Sequence, residues 1–286
     1  MLDFLQALTN GAFIGAVFAL AAVGLTLVFG VTNMINFAHG DLIMVAMYVG
    51  FVCWSLFGLD PLVAIPIAAV TMALVAVLVY AGIIRPVLGS SQLAQMVVTF
   101  GLLTFLRGVV QFVFTATPRR IDDPIVGRLR VVVGGVAVTG AQLVSAVGAL
   151  LATAALAWFV HRTETGQALQ AVGEDAAGAS LMGINANRMY GLAWALAGVS
   201  TGVAGALLIN NFGIDPLAGA AFGIMSFIAV ALGGFGSVLG AALAGVLLGV
   251  VQGVVGLYFS GYTLTAALGI YLLVLIVRPQ GLRGTR

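Results

Sequence analysis

The chain has 286 residues, of which 62% are hydrophobic and 7% charged, with a mean hydropathy of +1.19. A soluble domain carries about 25% charged residues, so the composition excludes a water-soluble domain and describes an integral membrane protein. The formal net charge of +2 comes from eleven basic residues, all arginine, against nine acidic ones, and they form no patch suited to nucleic acid.

Long apolar runs that do not alternate select helices over a barrel in lipid. The expected fold class is therefore all-α, a polytopic helical bundle of about eight or nine transmembrane helices at about 20 residues per crossing. Residues 1–10 contain Asp3 and no basic residue, unlike the positive start of a secretory signal, so the first apolar run is expected to remain as a span. That run, 11–31, opens with Gly11 and Gly15, whose four-residue spacing suits close helix packing. A polar knot at 32–41 carries Asn33, Asn36, His39 and Asp41. Either Asn36 or Asp41 caps the second helix, or the four side chains line a gate. Spans two and three cover 41–59 and 62–84, divided by the turn signal Asp60-Pro61 and closed by Arg85-Pro86. The fourth, 93–117, holds the one charge expected near mid-membrane, Arg107. An intramembrane charge marks a substrate route or is paired inside the bundle. Arg107 therefore meets a substrate carboxylate, or it bonds carbonyls or a side chain such as Gln111, one turn away.

Residues 118–130 are polar, and the β-branched run 131–139 suits a short hairpin or an interfacial segment. A fifth span at 141–161 leads into 162–188, RTETGQALQAVGEDAAGASLMGINANR, the longest water-compatible stretch of the chain. Here Gly173 is expected to interrupt the segment. Glu174 and Asp175 then open a short second helix whose dipole they complement, and Gly183 ends it in a left-handed turn. Ala176, Ala177, Ala179, Leu181 and Met182 give this helix a small apolar surface. So short a helix is marginal alone; it docks on a partner, or the stretch is a solvated loop. The sixth span covers 189–210, a shorter seventh at 222–232 ends in the glycine-rich break 233–236, and the eighth and ninth cover 237–259 and 262–277. In the eighth, Gly245, Gly249 and Gly253 recur every four residues and leave one face nearly bare. The polar breaks at 33–41 and 210–216 are compatible with an inverted repeat.

Arginines 85, 162, 188, 278, 283 and 286 against four within 119–130 put 162–188 and the carboxyl terminus in the cytoplasm and the amino terminus outside. No lysine occurs, so the chain has no phosphate-binding P-loop. His39 and His161 lie far apart, and no metal-ligand spacing, nucleophile elbow or carboxylate pair appears, so neither a metal site nor an enzyme is expected. Cys53, the lone cysteine, sits in an apolar run as a packing residue. All nine acidic residues fall in loops or near span ends. That pattern predicts no intramembrane carboxylate for ion coupling and favours energy supplied from outside the chain. An ion-coupled secondary carrier or channel is the alternative, since unwound carbonyls at 233–236 can hold sodium.

One family resemblance joins these segments. Gly166, Ala168, Leu169, Ala171, Glu174, Asp175, Ala179, Leu181, Met182, Gly183, Ile184 and Asn185 resemble the cytoplasmic loop of the branched-chain amino acid ABC-importer permeases. Asn36-Phe37-Ala38-His39-Gly40-Asp41, Gly233-Gly234-Phe235-Gly236-Ser237 and Arg278-Pro279-Gln280-Gly281-Leu282 extend the likeness over nearly the whole chain. Gln170 departs from it, since members commonly have arginine there. The resemblance implies one permease domain over 1–286 in a bacterial inner membrane, multi-pass, with 162–188 as a coupling loop. In that loop Gly166, Glu174, Asp175, Ala179, Gly183, Ile184 and Asn185 would serve coupling to the ATPase. It implies a second permease subunit, two cytoplasmic ATP-binding subunits that use the ATP, an extracytoplasmic solute-binding protein, and no cofactor on this chain. The substrate class it implies is branched-chain or related amino acids. Asn33, Asn36, His39, Asp41 and Arg107 are the candidates for the translocation pathway.

Overall fold

The computed structural model describes residues 1–121, 129–278 and 280–282. The expectations that touch 122–128, Pro279, Arg283 and Arg286 lie outside them. The described helices are α1 (Leu2–Thr32), α2 (His39–Phe57), α3 (Ile65–Val79), α4 (Gln92–Phe114), α5 (Gly140–Arg162), α6 (Glu164–Glu174), α7 (Ala176–Leu181), α8 (Ala186–Leu208), α9 (Ala218–Gly233), α10 (Val238–Tyr258) and α11 (Thr263–Val277). Turns at Tyr80–Ile84 and Arg85–Val87 prolong α3. Among the described residues eight helical segments are long and apolar enough to cross a membrane, and α9 is a shorter apolar one. The chain is an all-α polytopic bundle.

α1 is the axis. Gly11 and Gly15 meet α10 at Gly249–Val250 and Val246, and from the other side Gly245, Gly249 and Gly253 meet Ala19, Gly15 and Ala7. The two glycine faces noted in the sequence are thus one seam, along which the two backbones touch. α8 packs the same way on its other neighbours. Gly198 lies on Met72 and Ala73 of α3, Gly202 on Ala68 and Ala69, and Gly205 on Ile43 and Met47 of α2. Ser200 of α8 donates its hydroxyl to the Leu20 carbonyl of α1.

α1 begins nine residues before the expected start. Nothing in residues 2–10 breaks a helix, and their polar groups find partners. Gln6 bonds both the N–H and the carbonyl of Ala137 at 2.8 and 2.7 Å, and Asn10 accepts from Gln6 and Gln142. Ala137 belongs to an antiparallel hairpin, β1 (Arg130–Val133) with β2 (Val136–Thr139), that pairs Val131 with Val138. Gly134 and Gly135, at φ 60 and 87, make its two-residue turn. The hairpin resolves the choice posed by the β-branched run. It marks one end of the bundle, called here the hairpin end. The opposite end carries α6 and α7 and is called the loop end.

Candidate functional site

The polar knot after α1 does not stay at the loop end. Asn33 stops α1 in the left-handed conformation, φ 52, and the chain turns back into the bundle. His39 donates its Nε2–H to the Ala21 carbonyl of α1 at 2.8 Å. Ala21 lies eleven residues before Thr32, so α2 starts roughly 16 Å inside the end of α1 at about 1.5 Å per residue. From the hairpin end, where Arg119 and Ile214 exchange backbone bonds, the chain re-enters toward α9. Gly219 and Gly223 of α9 lie against the backbone of Gly40. Two helix starts coming from opposite ends therefore meet in the interior, each following a long helix of opposite direction, α1 or α8. This is the inverted relation with which the two polar breaks are compatible.

Neither start has a side-chain cap. Asn36 accepts from the Ala38 N–H at 3.0 Å, a local turn just ahead of the helix, and Ala38 rather than Asn36 or Asp41 is the N-cap residue. Asp41 has a different task. It receives Nε–H and Nη2–H from Arg107 of α4 at 2.6 and 3.1 Å. Asp41 is 1% exposed and Arg107 26%, and the carboxylate lies beside Gly219, so the pair sits where the two helix starts converge. Arg107 is paired inside the bundle, as one of its two readings expects, but its partner is Asp41 and not Gln111 or a carbonyl. The expectation that no carboxylate lies inside the membrane is corrected as well. Asp41 reads as a helix end in the sequence and is one, but that end is buried.

Below this junction four rings run toward the loop end. Phe37 stacks on Phe227 at 6.4 Å, Phe227 meets Phe235 edge-on at 6.1 Å, and Phe235 lies 4.5 Å from Phe29. They end at a cleft of about 600 Å³. Asn33 lines this cleft, whereas Asn36, His39 and Asp41 are buried above it. The five residues expected along a pathway thus divide between an open mouth and a closed interior.

At the loop end, 162–188 holds two short helices, α6 and α7, with the break between them at Asp175 and not at Gly173. Thr163 caps α6 by accepting from Gly166 N–H, and Gly166 turns α6 back onto Phe159 and Val160 of α5, where a side chain would strike backbone. Gly173 does not interrupt the segment. It lies inside α6 and faces the Gly30 carbonyl. Glu174 is the last residue of α6, not the first of the next helix. Asp175 alone opens α7, accepting from Ala177 N–H at 3.0 Å. Gly183 follows with φ 84, the left-handed turn expected there, and Asn185 caps α8 through Arg188 N–H. Ala179 is buried with Val31, Leu169 and Val172, with Ile184 packed alongside. Leu181 and Met182 point away, 89% and 83% exposed. The far carboxyl-terminal motif returns to this region, where Leu282 N–H bonds the Leu232 carbonyl and Gly281, φ 79, lies on Gly234.

Residues 7–278 match the family described as the branched-chain amino acid transport system permease component. The chain belongs to that family. It is 34% identical to the high-affinity branched-chain amino acid transport permease LivH of Escherichia coli, over 99% of this chain and 96% of that one. To BraD of Pseudomonas aeruginosa, a permease of the same description, it is 32% identical over 98% and 96%. A solved structure, PsaBC from Streptococcus pneumoniae in complex with Fab, superimposes with a TM-score of 0.53 at 17% identity, covering 97% of this chain and 92% of that one. That likeness concerns the fold alone. The family makes the chain a permease subunit of a transport system, multi-pass in the inner membrane, and not an enzyme.

Reading the sequence missed the contact of Gly40 with Gly219 and Gly223 and the aromatic ladder. The four-residue spacing of Gly219 and Gly223 was the available signal for the first. The ladder joins Phe29, Phe37, Phe227 and Phe235 across most of the chain, and no local pattern announces it.

Proposed function

We propose that residues 1–286 form one permease domain of an ABC importer for branched-chain or related amino acids, with the loop end in the cytoplasm and 162–188 as its coupling loop. The observation that carries this reading is α7. It is a six-residue helix, too short to be stable by itself, held by Ala179 and presenting Leu181 and Met182 fully to the outside. A helix built to be aimed by its neighbours and left open at its tip suits a cleft in an ATP-binding subunit. Gly166 seats α6 on α5, Glu174 ends α6, Asp175 caps α7, and Gly183, Ile184 and Asn185 form its exit into α8. Two such subunits would hydrolyse ATP, a second permease chain would complete the pathway, and an extracytoplasmic binding protein would deliver the solute. The substrate class rests on the printed descriptions of the relatives. Within the chain, Asn33, Asn36, His39, Asp41 and Arg107 would border the route. Asp41 and Arg107 form a neutral pair that keeps the route shut to ions.

An ion-coupled carrier is the second reading, because Asp41 is a carboxylate inside the bundle. Reconstitution into liposomes separates the two. With ATPase subunits and a binding protein, uptake of leucine should require ATP, and the chain alone should accumulate nothing. Accumulation by the chain alone under a proton or sodium gradient, without ATP, would overturn the importer reading.

A further inference from the structure

We infer that Tyr80 is a positioning residue for coupling: its hydroxyl, bonded to Asn187, ties the end of α3 to the start of α8, so that α3 follows the coupling loop when that loop moves. This rests on the proposed function for the role of the loop. Only Met182, Gly183 and Ile184 separate α7 from Asn185, the N-cap of α8. They leave no slack, since Ile184 N–H bonds the Ala179 carbonyl, and Ala179 of α7 packs in one apolar cluster with Ala186, Met189 and Tyr190 of α8. α7 and the first turns of α8 therefore form one body.

α8 is in turn seated on α3, with Gly198 against Met72 and Ala73 and Gly202 against Ala68 and Ala69, backbone on backbone. Toward the loop end this seam finishes on Tyr80. The residue is 5% exposed and its ring lies against Gly191. Its hydroxyl donates to Oδ1 of Asn187, with the Asn187 carbonyl 3.2 Å away. α3 changes its winding at the same residue. Arg85 N–H bonds the Tyr80 carbonyl, five residues back, so Tyr80–Ile84 is a π-turn, and Pro86 beyond it has no N–H to give the Gly82 carbonyl. Such turns interrupt α-helices mostly at functional positions, and here the interruption begins at the residue that holds α8. The ring alone supplies the packing. Asn187 is exposed, so its bond to the hydroxyl adds little buried area and serves instead to join two helix ends where one of them can give.

The test uses the whole transporter, with ATPase subunits and binding protein, in liposomes where leucine uptake and ATP hydrolysis are measured together. Tyr80→Phe keeps the ring and removes the hydroxyl; Asn187→Leu removes the acceptor from an exposed position. Both should assemble with the wild-type thermal midpoint and still hydrolyse ATP. The leucine carried per ATP should fall about fivefold in each, the equilibrium factor of one hydrogen bond. Asn187→Asp keeps an acceptor for the hydroxyl and should hold the wild-type ratio. The double variant Tyr80→Phe with Asn187→Leu should be no worse than either single one, because both remove the same bond. An unchanged ratio in assembled Tyr80→Phe overturns the inference. So does a loss in Asn187→Asp equal to that in Asn187→Leu, or additive losses in the double variant, since Asn187 would then act through another contact. Should Tyr80→Phe not assemble, the Asn187 pair decides by itself: equal ratios for Asn187→Leu and wild type overturn the inference. A wild-type complex without ATP-driven uptake overturns the proposed function and this inference with it, whereas wild-type uptake with unaltered variants overturns this inference alone.

Discussion

α1 and α4 are held in the bundle by opposite means. α1 is largely enclosed, and its contact with α10 is nearly free of side chains, backbone on backbone at Gly11, Gly15, Gly245, Gly249 and Gly253. α4 exposes much of its length, including Phe100, Phe105 and Phe112. It buries Leu102, Leu103 and Val110 and is tied by Arg107 to Asp41, with the ring of Phe114 4.6 Å from that of Tyr48. Lipid tails are as apolar as leucine, so burial of side chains gives helices little reason to associate in a membrane. What remains is close packing where side chains are absent, or a polar bond where they are present. The first is spread over five glycines and the second concentrated in one guanidinium.

That difference fixes the rank of the expected effects. Arg107→Leu should be the most damaging single change, because it leaves Asp41 buried and unpaired, about 3–5 kcal/mol for a broken buried pair. The folded yield and thermal midpoint should collapse, and Asp41→Asn added to Arg107→Leu should restore part of both. A double variant no better than the single one would show that the pair does not act as a unit. Gly249→Leu should come next, at about 1–3 kcal/mol for overpacking, since any side chain there strikes Gly15 and Gly11. Leu243→Phe, on the outward face of the same helix, is the control. Equal yields for the two would remove the seam from the account.

At the loop end the stakes move from stability to coupling. Gly183→Val puts a β-branched residue at φ 84, a cost of roughly 1–2 kcal/mol for a left-handed conformation. There is open space around it, so the spans should still assemble while ATP-driven uptake falls sharply. Normal uptake at normal expression would mean that the turn does not aim α7. Smallest of all for the permease itself is Leu181→Ser with Met182→Ser. Both side chains are exposed, so the permease's stability should stay within about ±0.5 kcal/mol of wild type, while co-purification of the ATP-binding subunit drops. A pull-down with undiminished ATPase subunit would place the docking surface elsewhere.

The sequence by itself was enough for the class of protein and for most element boundaries. Charge scarcity, run length and Gly or Asn at helix ends act locally, so the turn at Gly183 could be read without the fold. The bare face of α10 was legible for the same reason, since a four-residue period is a property of one helix. Its partner was not, because Gly11 and Gly245 are joined only by the packing of α1 on α10. Gly173 and Glu174 misled because glycine tolerates a helix interior when a neighbouring backbone comes close, and the Gly30 carbonyl that does so lies far off in sequence. Depth was the other property that only tertiary structure decided. In the linear chain Asp41 lies at a span boundary and Arg107 inside a span, and nothing local says that the boundary is folded back into the interior. The return of residues 33–38 alongside α1, fixed by His39 on Ala21, carries Asp41 to the level of Arg107. Membrane depth follows from which backbone a segment lies against, and that is a long-range fact that hydropathy along the chain does not contain.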